Sequence, residues 1–89
     1  MYDGRLYEFG EKLGKILAKR GLLHIRKGDY SSAFADFDEA IRLDSNNFAA
    51  FEGRAKVYRA FGENTKADAD ETTAKCLREA QTRKTAEIK

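Results

Sequence analysis

The residues with the greatest chemical potential in this chain are a single histidine, His24, and a single cysteine, Cys76. A Cys–His pair can form a catalytic nucleophile, and several Cys and His residues together can hold zinc. One of each, with no CxxC or HExxH spacing, predicts neither a zinc site nor an activated thiol. We expect His24 to pack against a neighbouring helix and Cys76 to be exposed. The lone cysteine rules out a disulfide within the chain, which favours a reducing compartment and predicts a cytoplasmic location.

Acidic residues form two further clusters, at 36–39 and 68–71. Both clusters fall on helices expected to lie on the outside of the fold, away from any cleft, so we interpret them as groups that keep this surface soluble. The carboxylates concerned are Asp36, Asp38, Glu39, Asp68, Asp70 and Glu71. The glycines follow neither GxGxxG nor GxxxxGK[ST], so no phosphate-binding loop is indicated. The sequence therefore predicts a chain that is not an enzyme, with no catalytic residues, no metal site and no cofactor.

The elements that position these residues are predicted to be helices throughout. Proline and tryptophan are absent, and Ala, Lys, Arg, Glu and Leu are plentiful, which are strong helix formers. No run approaches the ~20 apolar residues of a membrane span. The N-terminal stretch MYDGRLYEFGEK contains acidic residues and lacks the apolar segment of a signal peptide. We expect one all-α domain that does not enter a membrane.

The chain repeats itself at a constant shift, which aligns 14–47 with 48–81 without a gap. The identical pairs include Gly28 with Gly62, Ala33 with Ala67, Asp36 with Asp70, Ala40 with Ala74 and Leu43 with Leu77. Chance can match several alanines in an alanine-rich chain, but it is less able to place the turn glycine in the same register. The chain is therefore expected to consist of two similar units, and residues aligned in this way are called counterparts below.

Each unit is predicted to be a helix, a turn and a second helix. Gly28 and Gly62 follow the first helices, where a left-handed residue often ends a helix. Asp29 can cap the next helix, and the stretch DSNN at 44–47 can end it and cap the one after. The second helix of the first unit carries an apolar face at helical spacing. Its members are Ala33, Phe34, Phe37, Ala40 and Ile41.

The period and the residues resemble the tetratricopeptide repeat family. The matching positions in the first unit are Leu17, Gly21, Gly28, Tyr30, Ala33, Phe37, Ala40 and Leu43. Those in the second unit are Phe51, Ala55, Tyr58, Gly62, Ala67, Ala74 and Leu77. The steric reason is that Gly21 or Ala55 lets two helices cross closely while aromatic residues fill the space around them. The resemblance implies antiparallel helix-turn-helix repeats in a right-handed α-solenoid of about four helices.

The sequence departs from the family pattern at four positions. Ser45 stands where proline is usual between units, and His24, Asn64 and Glu71 replace aromatic residues. We divide the single domain, 1–89, into an N-terminal helical extension (1–13), two repeats (14–47 and 48–81) and a C-terminal helix end or tail (82–89). Two units are few for a continuous core, so the flanking segments, a second chain or a longer array must supply further packing.

Charge is segregated between the predicted helices. Residues 1–28 and 48–62 hold ten Lys or Arg and four acidic residues, whereas 29–47 and 63–77 hold three and nine. The resemblance implies that the first helix of each unit lines a concave surface, so we expect a basic inner face and an acidic outer one. Ala49 and Gly53 are expected to leave room for a ligand on the inner face. The predicted groove residues are Lys15, Lys19, Leu22, Arg26, Lys56 and Arg59.

The function that the residues favour is protein binding, with an acidic peptide or partner helix in the basic groove. Such a module would act as an adaptor or co-chaperone-like scaffold, although the clamp for chaperone C-termini does not carry over as a whole. The alternative for any single lysine is a solvated helix face. Two other classes remain open. One is self-assembly, through Tyr2, Leu6 and Phe9 or through the last helix; the other is nucleic-acid binding, which the acidic outer face and the scarcity of exposed aromatic residues disfavour.

Overall fold

Four α-helices make up the described part of the chain, and the prediction of an all-α fold is confirmed. The computed structural model describes residues 4–88, and the side chains of 9–82. The helices are α1 (Gly4–Arg26), α2 (Tyr30–Leu43), α3 (Phe48–Ala60) and α4 (Asn64–Ile88), and no strand occurs within these residues. The segments expected as an N-terminal extension and a C-terminal end belong to α1 and α4 as far as they are described. Residues 1–3 and 89 lie outside the described range.

A glycine in the left-handed backbone conformation ends the first helix of each unit, as the sequence predicts. At Gly28 φ is +82°, its N–H donates to the Ile25 carbonyl at 2.9 Å, and the Asp29 N–H donates to the His24 carbonyl at 2.8 Å. These two hydrogen bonds form a Schellman motif, which satisfies carbonyls that the helix end leaves without partners. The same pair of bonds ends α3 at Gly62, where φ is again +82°.

The next helices begin at the two capping residues expected from the sequence. A side-chain oxygen of Asp29 accepts a hydrogen bond from the Ser32 N–H at 3.2 Å at the start of α2. Oδ1 of Asn47 accepts one from the Ala50 N–H, also at 3.2 Å, at the start of α3. Each cap satisfies one of the donors that a helix N-terminus leaves without an intrahelical partner.

The ring of Phe37 lies at the centre of the core and holds three helices together. α1 contacts α2 and α3, while α3 also contacts α2 and α4. Phe37 is 0% exposed and lies so close to α1 and α3 that a Cβ at Gly21 or Gly53 would come within 2.7 or 2.2 Å of the ring. Gly21 of α1 therefore faces the Phe37 ring of α2. The surrounding small buried residues are Ala18, Ala33, Ala40 and Ala50.

The two units share their buried small positions but differ on one helix face. Ala33 and Ala67 are both 0% exposed, and Ala40 and Ala74 are similarly buried. The apolar face of α2 includes Phe34 and Phe37, which lie against α3, and Ile41, which packs on the core. Their counterparts in α4 are Asp68, Glu71 and Lys75. All three charged counterparts are exposed. The apolar face of α2 is thus buried or partly buried against the core, whereas the same face of α4 is polar and exposed to solvent.

Candidate functional site

An arginine–aspartate pair joins the two helices of each unit. Arg20 donates from Nε and Nη2 to the two carboxylate oxygens of Asp36, both at 2.7 Å. Arg54 donates in the same way to Asp70, at 2.8 and 3.0 Å. Each aspartate is only 6% exposed. The expectation that all the carboxylates of α2 and α4 solubilise the surface is therefore wrong for these two, because buried carboxylates of this kind require charged hydrogen-bond donors.

The sequence contained a signal for these pairs, since Arg54 is the counterpart of Arg20 and Asp70 is the counterpart of Asp36. The side-chain hydrogen bond to Asp70 raises the pKa of Arg54, and burial opposes that rise. Because a guanidinium can hold a carboxylate through two parallel bonds, the arginines are suited to this internal role. Part of the charge segregation between helices thus serves the packing of the fold.

Arg59, a predicted groove residue, faces α4. Its guanidinium contacts the carboxylates of Glu71 and Asp68, the latter at 2.8 Å. The side-chain hydrogen bonds to Glu71 and to Asp68 raise the pKa of Arg59. The side chain is 42% exposed, so the contacts are those of a surface network. Arg59 is consequently less available to a ligand than a cation without such carboxylate partners.

The other predicted cations are exposed and carry few internal contacts. Lys15 is paired with Glu11 on the same helix at 3.5 Å, with a side chain that is 67% exposed. No carboxylate described by the structure lies within 4.0 Å of Lys19, Arg26 or Lys56. These positively charged groups are therefore available to an anionic ligand.

A groove of about 530 Å³ lies between α1, the connection from α2 to α3, and α4. Lys15 lines one side, and Ala49 lies within it at the start of α3. The Gln81 side chain of α4 donates to the Asn46 carbonyl at 3.0 Å and links the far wall to the connection. The remaining lining residues are Glu11, Asp44, Asn47, Phe48, Leu77 and Ala80. The lining therefore combines apolar side chains with one ammonium and two carboxylates, so this groove is not basic in itself, and the cations Lys19 and Arg26 lie on α1 outside it.

The structure does not gather all six predicted groove residues into one cavity. Lys56 lines a second depression of about 410 Å³ between α3 and α4, together with charges of both signs. Leu22 is 37% exposed on α1, outside both linings. The residues that share the second depression are Glu52, Glu71, Lys75 and Arg78.

Gly53 does not leave room for a ligand, which corrects the expectation from the sequence. The Phe37 ring occupies the space in front of it, and a Cβ there would lie 2.2 Å from Cζ. Small residues in a helix can accommodate either a ligand or a neighbouring side chain, and the sequence alone does not separate the two. Here the neighbour fills the space.

The two residues considered for nucleophilic chemistry lie where the sequence placed them. Cys76 is exposed on α4. The His24 side chain is 26% exposed, with Nε2 at 3.4 Å from Oδ2 of Asp36 in the packing between α1 and α2. Within residues whose side chains are described, no group of three or more His, Cys, Asp or Glu is arranged to hold a metal ion.

Among the described helices, none combines the length and the apolar character needed to cross a bilayer. A scan of protein-family models, a search of curated proteins and a search of solved structures each found no match to this chain.

Proposed function

We propose that this chain is a non-catalytic protein-binding module, a two-unit stack of the tetratricopeptide type, which binds an acidic peptide in its groove and along the exposed cations of α1. The observation that carries the proposal is the groove beside Lys15, with its small apolar floor of Ala49, Leu77 and Ala80. In this proposal the module acts in the cytoplasm as an adaptor or co-chaperone-like scaffold.

The repeat part of the proposal is supported by the recurrence of the same contacts in both units. Gly28 and Gly62 have the same φ of +82° and the same flanking hydrogen bonds. The bidentate Arg–Asp pair and the fully buried alanines recur at the same interval. Recurrence in turns, ion pairs and packing together is expected of a true structural repeat, because each repeat is one supersecondary unit.

The binding part of the proposal is supported by the cations that no described carboxylate neutralises. The arginines Arg20, Arg54 and Arg59 are held by carboxylates of α2 and α4. Lys19 and Arg26 are exposed on the same helix as Lys15 without a described carboxylate nearby. Such groups attract acidic ligands over a distance of about a Debye length, and their effect is therefore weakened by salt.

A titration of acidic peptides tests the proposal. Wild-type protein is mixed with fluorescent peptides that end in Glu or Asp residues and a free carboxylate, and with amidated neutral versions of them. We expect binding of the acidic peptides alone. The double variant K15E/K19E should lose it, since Lys15 in the groove lining and the exposed Lys19 one helical turn further along α1 would then be replaced by groups that repel the ligand.

The matched control is K27E/K66E, which changes the net charge equally at two exposed lysines outside the groove. This control should bind the acidic peptides as wild type does, and both variants should keep the helical circular dichroism. Equal loss of binding in both variants would show a general charge effect, and unchanged binding in K15E/K19E would contradict the groove.

A further inference from the structure

A stripe of apolar side chains runs along the outer face of α1 without any described partner. Phe9, Ile16 and Leu23 are 65%, 61% and 52% exposed. They recur at every seventh position, so they lie on one helix face over about 21 Å. Scattered apolar residues are common at surfaces, but three in a row on one helix are typical of a helix-packing seam.

The second unit shows what such a face does. The counterparts of Ile16 and Leu23 are Ala50 and Val57 in α3. Both are 0% exposed and belong to the core that α3 shares with α2. The positions through which α3 receives a helix are thus the positions left open on α1. We expect the occupant of this stripe to be a helix as well.

A further unit like the first does not fit this stripe. Phe37 of α2 reaches α3 only because Gly53 is opposite, at a distance that no side chain tolerates. The counterpart of Gly53 on α1 is Lys19. An aromatic residue placed like Phe37 would therefore meet a charged side chain in place of an open backbone.

A second copy of this chain fits poorly for two reasons. The cations Lys12, Lys19 and Arg26 each follow a stripe residue by three positions, so two copies joined through this face would bring like charges together. The second arrangement would place α4 of another copy on the stripe, as α2 packs on α3. That face of α4 carries charged residues, among them Asp68 and Glu71, where α2 carries apolar ones. The first arrangement is opposed by like charges, and the second does not bury the stripe against apolar side chains.

We propose that the stripe Phe9, Ile16 and Leu23 is a second docking site, separate from the groove, for an amphipathic helix of a partner protein. The partner's apolar residues recur every seven positions, and Asp or Glu follows each of them by three. The apolar side chains cover the stripe, and the carboxylates meet the cations along its border. The charges give the pairing its specificity, and the burial gives most of its affinity.

A designed helical peptide of six turns, with Leu at every seventh position and Glu three positions after each Leu, serves as the probe. Its matched peptide has Lys in place of those Glu residues. Fluorescence anisotropy against wild type should show binding of the acidic peptide and little binding of the basic one. I16Q/L23Q should weaken binding about tenfold or more, because each substitution removes an aliphatic side chain from the contact.

Two further variants separate this site from the groove and keep the proposal falsifiable. L22Q removes a 37% exposed leucine from a different face of α1 and should leave binding unchanged. K12E, at a border cation that the groove test does not use, should weaken binding of the acidic peptide and strengthen binding of the basic one, which a loss of folding cannot produce. The proposal is overturned if the acidic peptide does not bind, if both peptides bind equally, or if I16Q/L23Q binds as wild type does. A mass in solution that rises with concentration in wild type but not in I16Q/L23Q would also overturn it, since the stripe would then pair copies of the chain.

Discussion

The substitution G53A tests the packing of the Phe37 ring against α3. A glycine in the middle of a helix ordinarily gains about 0.8–1 kcal/mol of stability when alanine replaces it. Here the added Cβ would lie 2.2 Å from Cζ and 2.3 Å from Cε1 of a ring that is 0% exposed. Overpacking of this kind costs about 1–3 kcal/mol, and the short distance favours the upper end. The net expectation is a loss of about 2 kcal/mol.

The matched control is G14A, at another helix-interior glycine. Its added Cβ would lie 3.4 Å from the Ala40 carbonyl oxygen and 3.5 Å from Nδ2 of Asn47, which are ordinary contacts. G14A should therefore gain stability by up to about 1 kcal/mol. Urea unfolding followed by circular dichroism measures both, and in a domain of this size each change of about 1 kcal/mol corresponds to about 4–8 °C in Tm.

The substitution F37L completes a double-mutant cycle with G53A. Leucine lacks the ring atom nearest the new Cβ, so most of the cost of G53A should disappear in the F37L background. Such coupling is expected only between groups in contact. The steric explanation is refuted if G53A stabilises the wild-type chain, or if it costs the same with Leu at this position.

Substitutions at three other positions have expected outcomes. R54M should cost about 1–3 kcal/mol in urea unfolding, because the buried carboxylate of Asp70 loses both of its arginine hydrogen bonds; an unchanged midpoint would argue against the pair as a stabilising contact. G62A should cost about 1–2 kcal/mol through backbone strain alone, since φ is +82° with no atom within 4 Å of a new Cβ, and G62N should cost less. Hydrogen bonds from the Ser32 side chain and backbone hold the pKa of Asp29 below its ordinary value of 3.8. The stability that Asp29 contributes is therefore present above pH 3.8. It is lost as the pH falls through the lower pKa of the folded state. D29N should therefore flatten the dependence of stability on pH from about pH 4 downward, and an identical acid profile in the two proteins would contradict this role.

The local features of the fold could be predicted because each has a short-range cause. The left-handed turns at Gly28 and Gly62 and the caps at Asp29 and Asn47 depend on residues within one helical turn. The helical period also separates buried from exposed positions along α2. These signals lie in neighbouring residues, so one sequence is sufficient to find them.

The contacts between helices were harder to predict. Aspartate is usually a surface residue, and the burial of Asp36 and Asp70 depends on arginines that lie on a different helix. Gly53 could equally have faced a ligand, and only the position of the Phe37 ring decides between the two. Both cases depend on long-range geometry that periodicity alone does not specify.

The measurement that tests the central claim most directly is a titration of the ¹⁵N-labelled chain with an acidic, carboxylate-ended peptide, followed by amide chemical shifts. The account predicts that the largest changes occur at Lys15, Ala49, Leu77 and Ala80, which line the groove. When the same peptide is added to K15E/K19E, the amide chemical shifts of these residues should not change. Changes confined to the opposite surface, or no changes at peptide concentrations up to about 1 mM, a limit that corresponds to about −4 kcal/mol of binding free energy, would contradict the proposed groove.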